Sequence, residues 1–194
     1  MPSPAAARGH EVRQRLLAAA AELIPELGWS AVSTRILADR AGVTPSVVHY
    51  HFTSLQLVLQ EAALAAMAGV VAEMDAAIDS ADSPGALLDS ALATAQPFTG
   101  ADPMTLLFVE AYLAGTRDAA FGERIAQLLA DSRTRFARRL ADHGAPDPDG
   151  TAAVVFAALD GMALHRGLGI GPDSATAGAA MRRLIGDERK GRSR

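Results

Sequence analysis

The chain contains no cysteine, a single lysine and few aromatic residues. Without cysteine it has no disulfide framework and no thiolate metal site, which suits a cytoplasmic protein. Lys190 is the single lysine, so nearly all of the positive charge comes from arginine. Aromatic side chains make up 5% of the 194 residues, so we expect any ligand cavity to be walled mostly by aliphatic groups.

Other signals are also missing. The longest uncharged apolar run, Ala62 to Ala72, is too short to span a bilayer. Met1 to Arg8 lacks the long apolar core of a signal peptide. The sequence has no glycine-rich phosphate loop, no nucleophile elbow and no H-E-x-x-H motif. We therefore predict no membrane partner, no catalytic residues, no cofactor and no metal site.

The composition that remains favours helix. The chain is 49% hydrophobic and rich in alanine, and apolar and polar residues do not alternate convincingly over strand length. We therefore predict an all-α protein. The net charge of −4 is unevenly spread, because residues 1–60 carry five arginines against four acidic residues. That balance of +1 leaves −5 for residues 61–194, so the acidic excess lies away from the N-terminal segment.

The most informative segment is Ser33 to Phe52, which predicts a helix, a tight turn and a second helix. Ala38 is small enough for the second helix to cross close to the first. Gly42 falls at the turn, where glycine accepts a positive φ cheaply, and Val48 should face the core. Thr44 is a good N-cap, and a proline follows it at the first helical position. A helix pair of this kind can enter a DNA groove.

The segment Gly28 to Phe52 resembles the N-terminal signature of the tetracycline-repressor (TetR) family of bacterial regulators. The matching residues are Gly28, Trp29, Ser33, Thr34, Arg35, Leu37, Ala38, Ala41, Gly42, Val43, Tyr50, His51 and Phe52. Two positions depart from the family pattern. His49 stands where the family usually has tyrosine, and Leu55 stands where it usually has a lysine that touches a phosphate. The second change removes a charge-assisted phosphate contact.

The resemblance implies that the outer face of the second helix and the start of the first contact DNA. The implied residues are Thr34, Arg35, Thr44, Pro45, Ser46, Val47, His49, Tyr50 and His51. Arg35 would reach a guanine edge or a phosphate, and His51 would bind a phosphate or pack in the head. Tyr50 would stack on sugar or base, or face the core. His49 and His51 are not a metal pair, because two residues of spacing puts them about 200° apart on a helix.

We expect an N-terminal three-helix head, joined by a long helix to a larger helical domain for ligand binding and dimerisation. The predicted domains are residues 1–53, 54–187 and a basic tail, 188–194. Met1 to Ala7 is predicted to be a disordered arm. The predicted helices cover about residues 10–27, 34–41, 45–52, 54–80, 86–95, 104–115, 119–143, 151–168 and 175–185. Trp29 should pack over the core of the three-helix head.

Ligand contacts are expected in the larger domain. The candidates are adaptable apolar residues and one histidine: Met67, Met74, Phe98, Met104, Phe108, Tyr112, Met162 and His165. For each apolar candidate taken alone, ordinary core is the favoured interpretation. Glu110, Asp160 and His165 are polar residues on apolar stretches that could orient a ligand. The helix from Met104 to Gly115 is apolar on nearly every side, so we expect it at the centre of this domain, with Phe108 and Tyr112 beside an apolar cavity.

The last two helices are the predicted dimer interface. Small and apolar residues follow one side of each helix, and across a two-fold axis the pair would build a four-helix bundle. The predicted interface residues are Val155, Leu159, Ala163, Arg166 and Met181.

The sequence as a whole favours a homodimeric one-component regulator, a repressor of a partly palindromic DNA operator, released by a small hydrophobic or amphipathic effector. Two other classes stay open. A constitutive DNA-binding protein would have a filled C-terminal domain and no effector. An all-α enzyme or binding module would show no sequence-specific DNA binding.

Overall fold

The computed structural model describes residues 4–185, with side chains from residue 6 onward. All regular structure in this part of the chain is helical, as predicted. The helices are α1 (Pro4–Leu27), α2 (Thr34–Ala41), α3 (Pro45–His51), α4 (Leu55–Ser80), α5 (Pro84–Ala95), α6 (Pro103–Gly115), α7 (Ala119–Asp142), α8 (Pro148–Gly167) and α9 (Ser174–Leu184). The predicted tail, 188–194, lies outside the described residues.

Several helices begin earlier than predicted, and each of these begins with a proline. Pro84 and Pro148 were assigned to loops, but each follows a capping residue. Ser83 Oγ accepts the N–H of Ala86 at 3.2 Å, and Asp147 Oδ1 accepts the N–H of Gly150 at 3.1 Å. A proline at the first helical position has its φ already set and needs no N–H partner. These prolines therefore start helices rather than interrupt them.

The start of α1 corrects a second prediction. Residues 4–7 are helical rather than a disordered arm, and α1 begins at Pro4 with a run of alanines behind it. Alanine has the highest intrinsic helix propensity, so this segment extends the helix instead of fraying from it. Residues 1–3 lie outside the described part of the chain. The helix ends as predicted at Gly28, whose φ of 84° is cheap only for glycine.

Two compact units divide the chain. The first contains the residues up to Met67 together with Leu106–Ile125. Within it α1 packs on α2 and α2 packs on α3. Its fully buried side chains come from the head, from the first half of α4 and from α6 and α7: Leu16, Leu23, Ile24, Leu37, Val48, Leu59, Met67, Leu107 and Phe121. The predicted limits of the functional domains stay predictions.

The second unit contains Ala68–Thr105 and the chain from Ala126 onward. Its core gathers α5 against α9 and α8, with residues of α4 and α7. Phe136 is fully buried, and its ring centroid lies 5.7 Å from that of Phe156 in an edge-to-face arrangement. Such aromatic pairs fix side-chain orientation beyond what area burial alone does.

Helix α6 is less enclosed than predicted. Leu107 and Ala111 are buried, but Leu106 and Leu113 are exposed. The prediction that this helix lies at the centre of a domain is therefore wrong for one of its sides. An apolar sequence all round a helix does not by itself require burial all round, because much of a folded protein's surface is apolar.

By length and composition alone, helix α4 could cross a membrane, since its most apolar window has a mean hydropathy of 1.6. The core helices of soluble proteins can meet the same criterion. Three of the four charged side chains of α4 are paired within the chain: Glu61 with Arg13, and Asp75 and Asp79 with Arg135. Its residues Val58, Leu59 and Met67 are fully buried. These contacts hold part of the helix against its neighbours in the protein.

Candidate nucleic-acid interface

The helix pair α2–α3 has the frame that the sequence predicts. Ala38 and Val48 are buried where the two helices cross. Gly42 caps α2 in the left-handed conformation, with φ 66°, and the N–H of Val43 donates to the carbonyl of Ala38 at 3.0 Å. The turn is fixed by these backbone bonds, so α3 leaves α2 in one direction only.

The outer face of α3 is polar and open to solvent. Thr44, Pro45, Ser46, His49 and Tyr50 are exposed, while Val47 and His51 are half-buried. Tyr50 is 85% exposed, so of its two predicted roles the core one is wrong. A large aromatic residue held in solvent on a short helix is available to stack on a flat or sugar surface.

Thr44 occupies the N-cap position of α3 but does not cap it with its side chain. Its hydroxyl instead forms a hydrogen bond of 2.8 Å with the Ser46 hydroxyl. The predicted N-cap position is therefore confirmed, but the threonine side chain makes no capping bond. Both hydroxyls lie at the start of α3, where free backbone N–H groups favour a phosphate.

Arg35 stands beside this face at the first turn of α2. Ser33 caps that helix by accepting the N–H of Ile36 at 3.3 Å, and Thr34 follows half-buried. The Arg35 side chain is 88% exposed, and its one ion-pair partner, Asp39, is 4.0 Å away. An exposed pair at that distance is weak, so the guanidinium can leave it for a base edge or a phosphate.

Two other arginines of the head are committed to internal ion pairs. Arg40 binds Glu26 at 2.6 Å and Glu22 at 3.3 Å. The hydrogen bond that Arg40 donates to Glu26 is the main cause that raises the pKa of Arg40. Arg13 pairs with Glu61 and lies over the ring of Phe52, 4.8 Å from its centroid. Of the five arginines in residues 1–60, these two contribute little positive potential to a DNA surface.

His51 lies between the outer face and α1. Its ring meets that of Tyr50 edge-on at 5.1 Å, and a side-chain carbon at Gly9 would lie 3.8 Å from its Cε1. His49 is exposed on the other side of α3. The two imidazoles do not converge, and no group of metal-binding side chains occurs among the residues that the structure describes.

Trp29, predicted to pack over the three-helix core, has contacts with residues outside that head. Its indole N–H donates to Gln56 Oε1 at 2.9 Å, and its ring lies 5.5 Å from that of Phe121 on α7. Its main-chain N–H donates to Glu110 Oε2 at 2.8 Å. Glu110, which was predicted to orient a ligand, thus accepts a hydrogen bond from the main chain of the loop between α1 and α2. Gln56 and Glu110 have partners far away in sequence, so local pattern gave no signal for either bond.

The predicted ligand residues fall into two groups. Met67 is buried in the first unit, where the rings of Phe108 and Tyr112 meet edge-on at 6.1 Å. Met74, Phe98 and Met162 belong to the core of the second unit or pack against it. Met104 is half-buried and His165 is exposed. Phe108 and Tyr112 contact each other, and the apolar cavity expected beside them stays a prediction.

The predicted dimer residues face the interior of the chain. Val155, Leu159 and Met181 belong to the buried core of the second unit. Arg166 donates to the carbonyls of Ala95 and Phe98 at 3.0 and 3.1 Å, which ties the end of α5 to α8. Half-buried Ala163 lies on the same side. Burial within one chain takes Val155, Leu159 and Met181 away from any partner surface.

Large apolar residues are exposed on α8 and α9 and in the segment between them. They are Val154, Leu164 and Leu168 on α8 or at its end, Ile170 beyond it, and Leu184 on α9. On α8, Leu164 lies on the other side of the helix from the buried Val155 and Leu159, which were predicted as interface residues.

Two family models match the chain. Residues 16–62 match the model for bacterial regulatory proteins of the tetR family. Residues 82–187 match the model for a tetracyclin repressor-like C-terminal domain. No curated protein matches closely enough to count as a relative.

Solved structures with this fold include proteins from three bacteria. A candidate transcriptional regulator from Streptomyces coelicolor A3(2) is 29% identical, with 90% of this chain and 98% of that chain covered and a TM-score of 0.73. A candidate TetR-family regulator from Rhodococcus sp. is 20% identical, with coverage of 91% and 98% and a TM-score of 0.73. A candidate regulator from Saccharomonospora viridis, in complex with choline, is 20% identical, with coverage of 94% and 97% and a TM-score of 0.70.

Proposed function

The chain belongs to the TetR family of bacterial regulatory proteins, and we propose that it is a homodimeric repressor that a small effector releases from its operator. As a member of this family it is a DNA-binding transcriptional regulator and not an enzyme. Repression, the operator contacts and the nature of the effector are our proposal. Since its DNA partner lies there, we also propose a cytoplasmic location.

The outward polar face of α3, with Arg35 beside it, is the observation that supports operator binding most directly. Arg35 is suited to a guanine edge, which presents two acceptors to a guanidinium. His49 and Tyr50 are free to reach neighbouring bases or sugars, and the half-buried Val47 offers an apolar contact for a thymine methyl. Thr44 and Ser46 would hold a phosphate at the start of the helix.

This face can be tested by titrating the protein with its own upstream DNA region at fixed salt. Arg35→Ala should weaken specific binding by about 1–3 kcal/mol, and His49→Ala by a smaller amount. Arg138→Ala is the matched control, because Arg138 is also an exposed arginine but lies on α7, outside the head. If Arg35→Ala and His49→Ala both bind like the wild type, this face is not the contact surface.

We place the dimer interface on the outward face of α8 and α9, with Val154, Leu164 and Leu184 as its apolar contacts. Gly161 lies on the same side of α8 and permits close helix approach. A two-fold axis there would present two heads to two half-sites of a partly palindromic operator. The exposed large apolar side chains of α8 and α9 support this assignment, because such residues are often covered by a partner when they cluster.

We propose a hydrophobic or amphipathic effector that contacts α6 at Phe108 and Tyr112. These rings offer aromatic faces on a helix with a single charged residue, which suits an apolar molecule or an amine better than a sugar or nucleotide. A screen should follow release of the upstream DNA, with choline among the molecules tested because a relative binds it. Phe108→Trp should reduce release and leave DNA binding intact. If no molecule causes release, a constitutive regulator becomes the better interpretation.

A further inference from the structure

The loop between α1 and α2 is held at three points by residues far away in sequence. The Trp29 N–H donates to Glu110 Oε2 on α6 at 2.8 Å. The indole N–H donates to Gln56 Oε1 on α4 at 2.9 Å, and the ring lies against Phe121 on α7. All of these residues belong to the first compact unit. A loop fixed by three helices cannot move without at least one of them.

Glu110 is the one charged residue on α6, whose sequence is otherwise apolar apart from Thr105 and Tyr112. It is half-buried, and its second oxygen, Oε1, would lie 3.6 Å from a side-chain carbon at Gly28. A carboxylate removed partly from water needs donors in its place. The Trp29 N–H is such a donor, so the carboxylate and the loop hold each other in position.

The loop leads directly into the DNA-binding helices. Ser33, the N-cap of α2, is four positions after Trp29, and Arg35 follows two positions later. The N–H of Ala31 donates to the Gly28 carbonyl at 3.2 Å, which closes the loop into a turn. Val32 is buried at its end. A displacement of α6 at Glu110 therefore reaches the start of α2 through a short, internally bonded segment rather than through a slack linker.

In the sequence of α6, Glu110 lies between the two predicted effector residues, on about the opposite side of the helix from both. Phe108 and Tyr112 are two positions before and after it on α6, and their rings contact each other. Any molecule that moves this part of the helix moves the carboxylate with it. The head thus has a bonded connection to the segment where we expect the effector.

We propose that Glu110 is a positioning residue that sets the orientation of the DNA-binding helices through the main-chain N–H of Trp29. This inference rests on the proposed function and adds the route by which α6 regulates the head. It does not require Glu110 to touch DNA or effector. Glutamine can accept the same hydrogen bond through its amide oxygen, whereas alanine cannot.

The test compares Glu110→Ala, Glu110→Gln and a matched control, Glu123→Ala, which removes an exposed glutamate from α7 in the same unit. Binding to the upstream region and to a shuffled DNA fragment is titrated at one salt concentration. Glu110→Ala should lower specific affinity about tenfold and leave affinity for the shuffled fragment within about twofold. Glu110→Gln and Glu123→Ala should stay close to the wild type.

Trp29 is the only tryptophan, so its fluorescence reports on this loop without a label. DNA binding should change its emission in the wild type and in Glu110→Gln, and the change should be altered in Glu110→Ala. The inference is overturned if Glu110→Ala retains wild-type specificity and fluorescence. It is also overturned if both DNA affinities fall in parallel with the melting temperature, since that marks a purely structural residue. If the wild type shows no preference for the upstream region, the proposed function itself fails first.

Discussion

The helix pairs α2–α3 and α8–α9 differ in how their apolar residues are arranged, although both present a surface for which we propose a partner. On α3 one apolar residue, Val48, is buried, and the polar residues around it face outward. On α8 large apolar residues occur on both sides, with Leu159 buried and Leu164 exposed. A polar surface is recognisable in sequence because it contrasts with the core. An apolar interface has the same composition as the core it covers.

The largest expected effect separates the two sides of α8. Leu159 is 7% exposed and Leu164 is 46% exposed. Leu159→Ala should lower the free energy of unfolding by about 2–5 kcal/mol, because it leaves a cavity in the core. Leu164→Ala is the matched control and should cost clearly less in chemical denaturation at low protein concentration. Equal losses from both substitutions would remove the distinction between a core side and an interface side.

A charge on the outer side should act on assembly rather than on folding. Leu164→Glu places a carboxylate in the proposed interface and should weaken dimerisation by about 2–3 kcal/mol, or roughly 100-fold in Kd. Analytical ultracentrifugation over a concentration series measures this directly. Leu113→Glu is the control, because Leu113 is 48% exposed on α6, outside the proposed interface. A wild-type protein that is monomeric at micromolar concentration would contradict the assignment.

The smallest expected effect is on stability and concerns the loop before α6. Hydrogen bonds between polar residues hold this loop, and we propose no binding partner for it. Burial raises the pKa of Asp102, but hydrogen bonds from Thr105 and Thr99 outweigh it and lower the pKa to about 2. Asp102 Oδ1 accepts the Thr105 N–H at 2.9 Å, and Oδ2 accepts the Thr99 N–H at 2.6 Å. Asp102→Ala should therefore cost about 0.5–2 kcal/mol at neutral pH.

The lowered pKa of Asp102 determines how the stability lost in Asp102→Ala changes with pH. The folded-state pKa is below the ordinary value of 3.8, so the stabilisation is complete above about pH 4 and is lost as the pH falls toward 2. Unfolding free energies measured from pH 7 to pH 2 should show the difference between wild type and Asp102→Ala shrinking across that window. A difference that stays constant with pH would mean that the charge of Asp102 contributes nothing.

Much of the head could be predicted because its signals are local. The bounds of α2, residues 34–41, follow from the Ser33 cap and the glycine turn, and the structure gives the same bounds. The late starts predicted for α5 and α8 came from treating Pro84 and Pro148 as breaks. The capping residues before them were available in the sequence and mark these prolines as helix starts.

The rest depends on contacts that sequence spacing does not reveal. The bond from Trp29 to Glu110 joins residues 81 positions apart, and no helical period connects them. Packing likewise determines which side of α8 faces inward. Arg166, for example, donates to the carbonyls of Ala95, the last residue of α5, and of Phe98 just beyond it. Tertiary packing therefore decides which apolar face is core, and only the folded chain shows it.

Footprinting of the wild-type protein on its own upstream DNA tests the central claim most directly. The outward face of α3 and the outward face of α8 and α9 together predict two protected half-sites, related by two-fold symmetry. Their centres should lie about one helical turn apart (roughly 10 base pairs), or somewhat more. Arg35→Ala should lose both half-sites together, and Leu164→Glu should lose the paired protection at low protein concentration. A single unsymmetrical protected stretch, or no protection above that of shuffled DNA, would contradict the account.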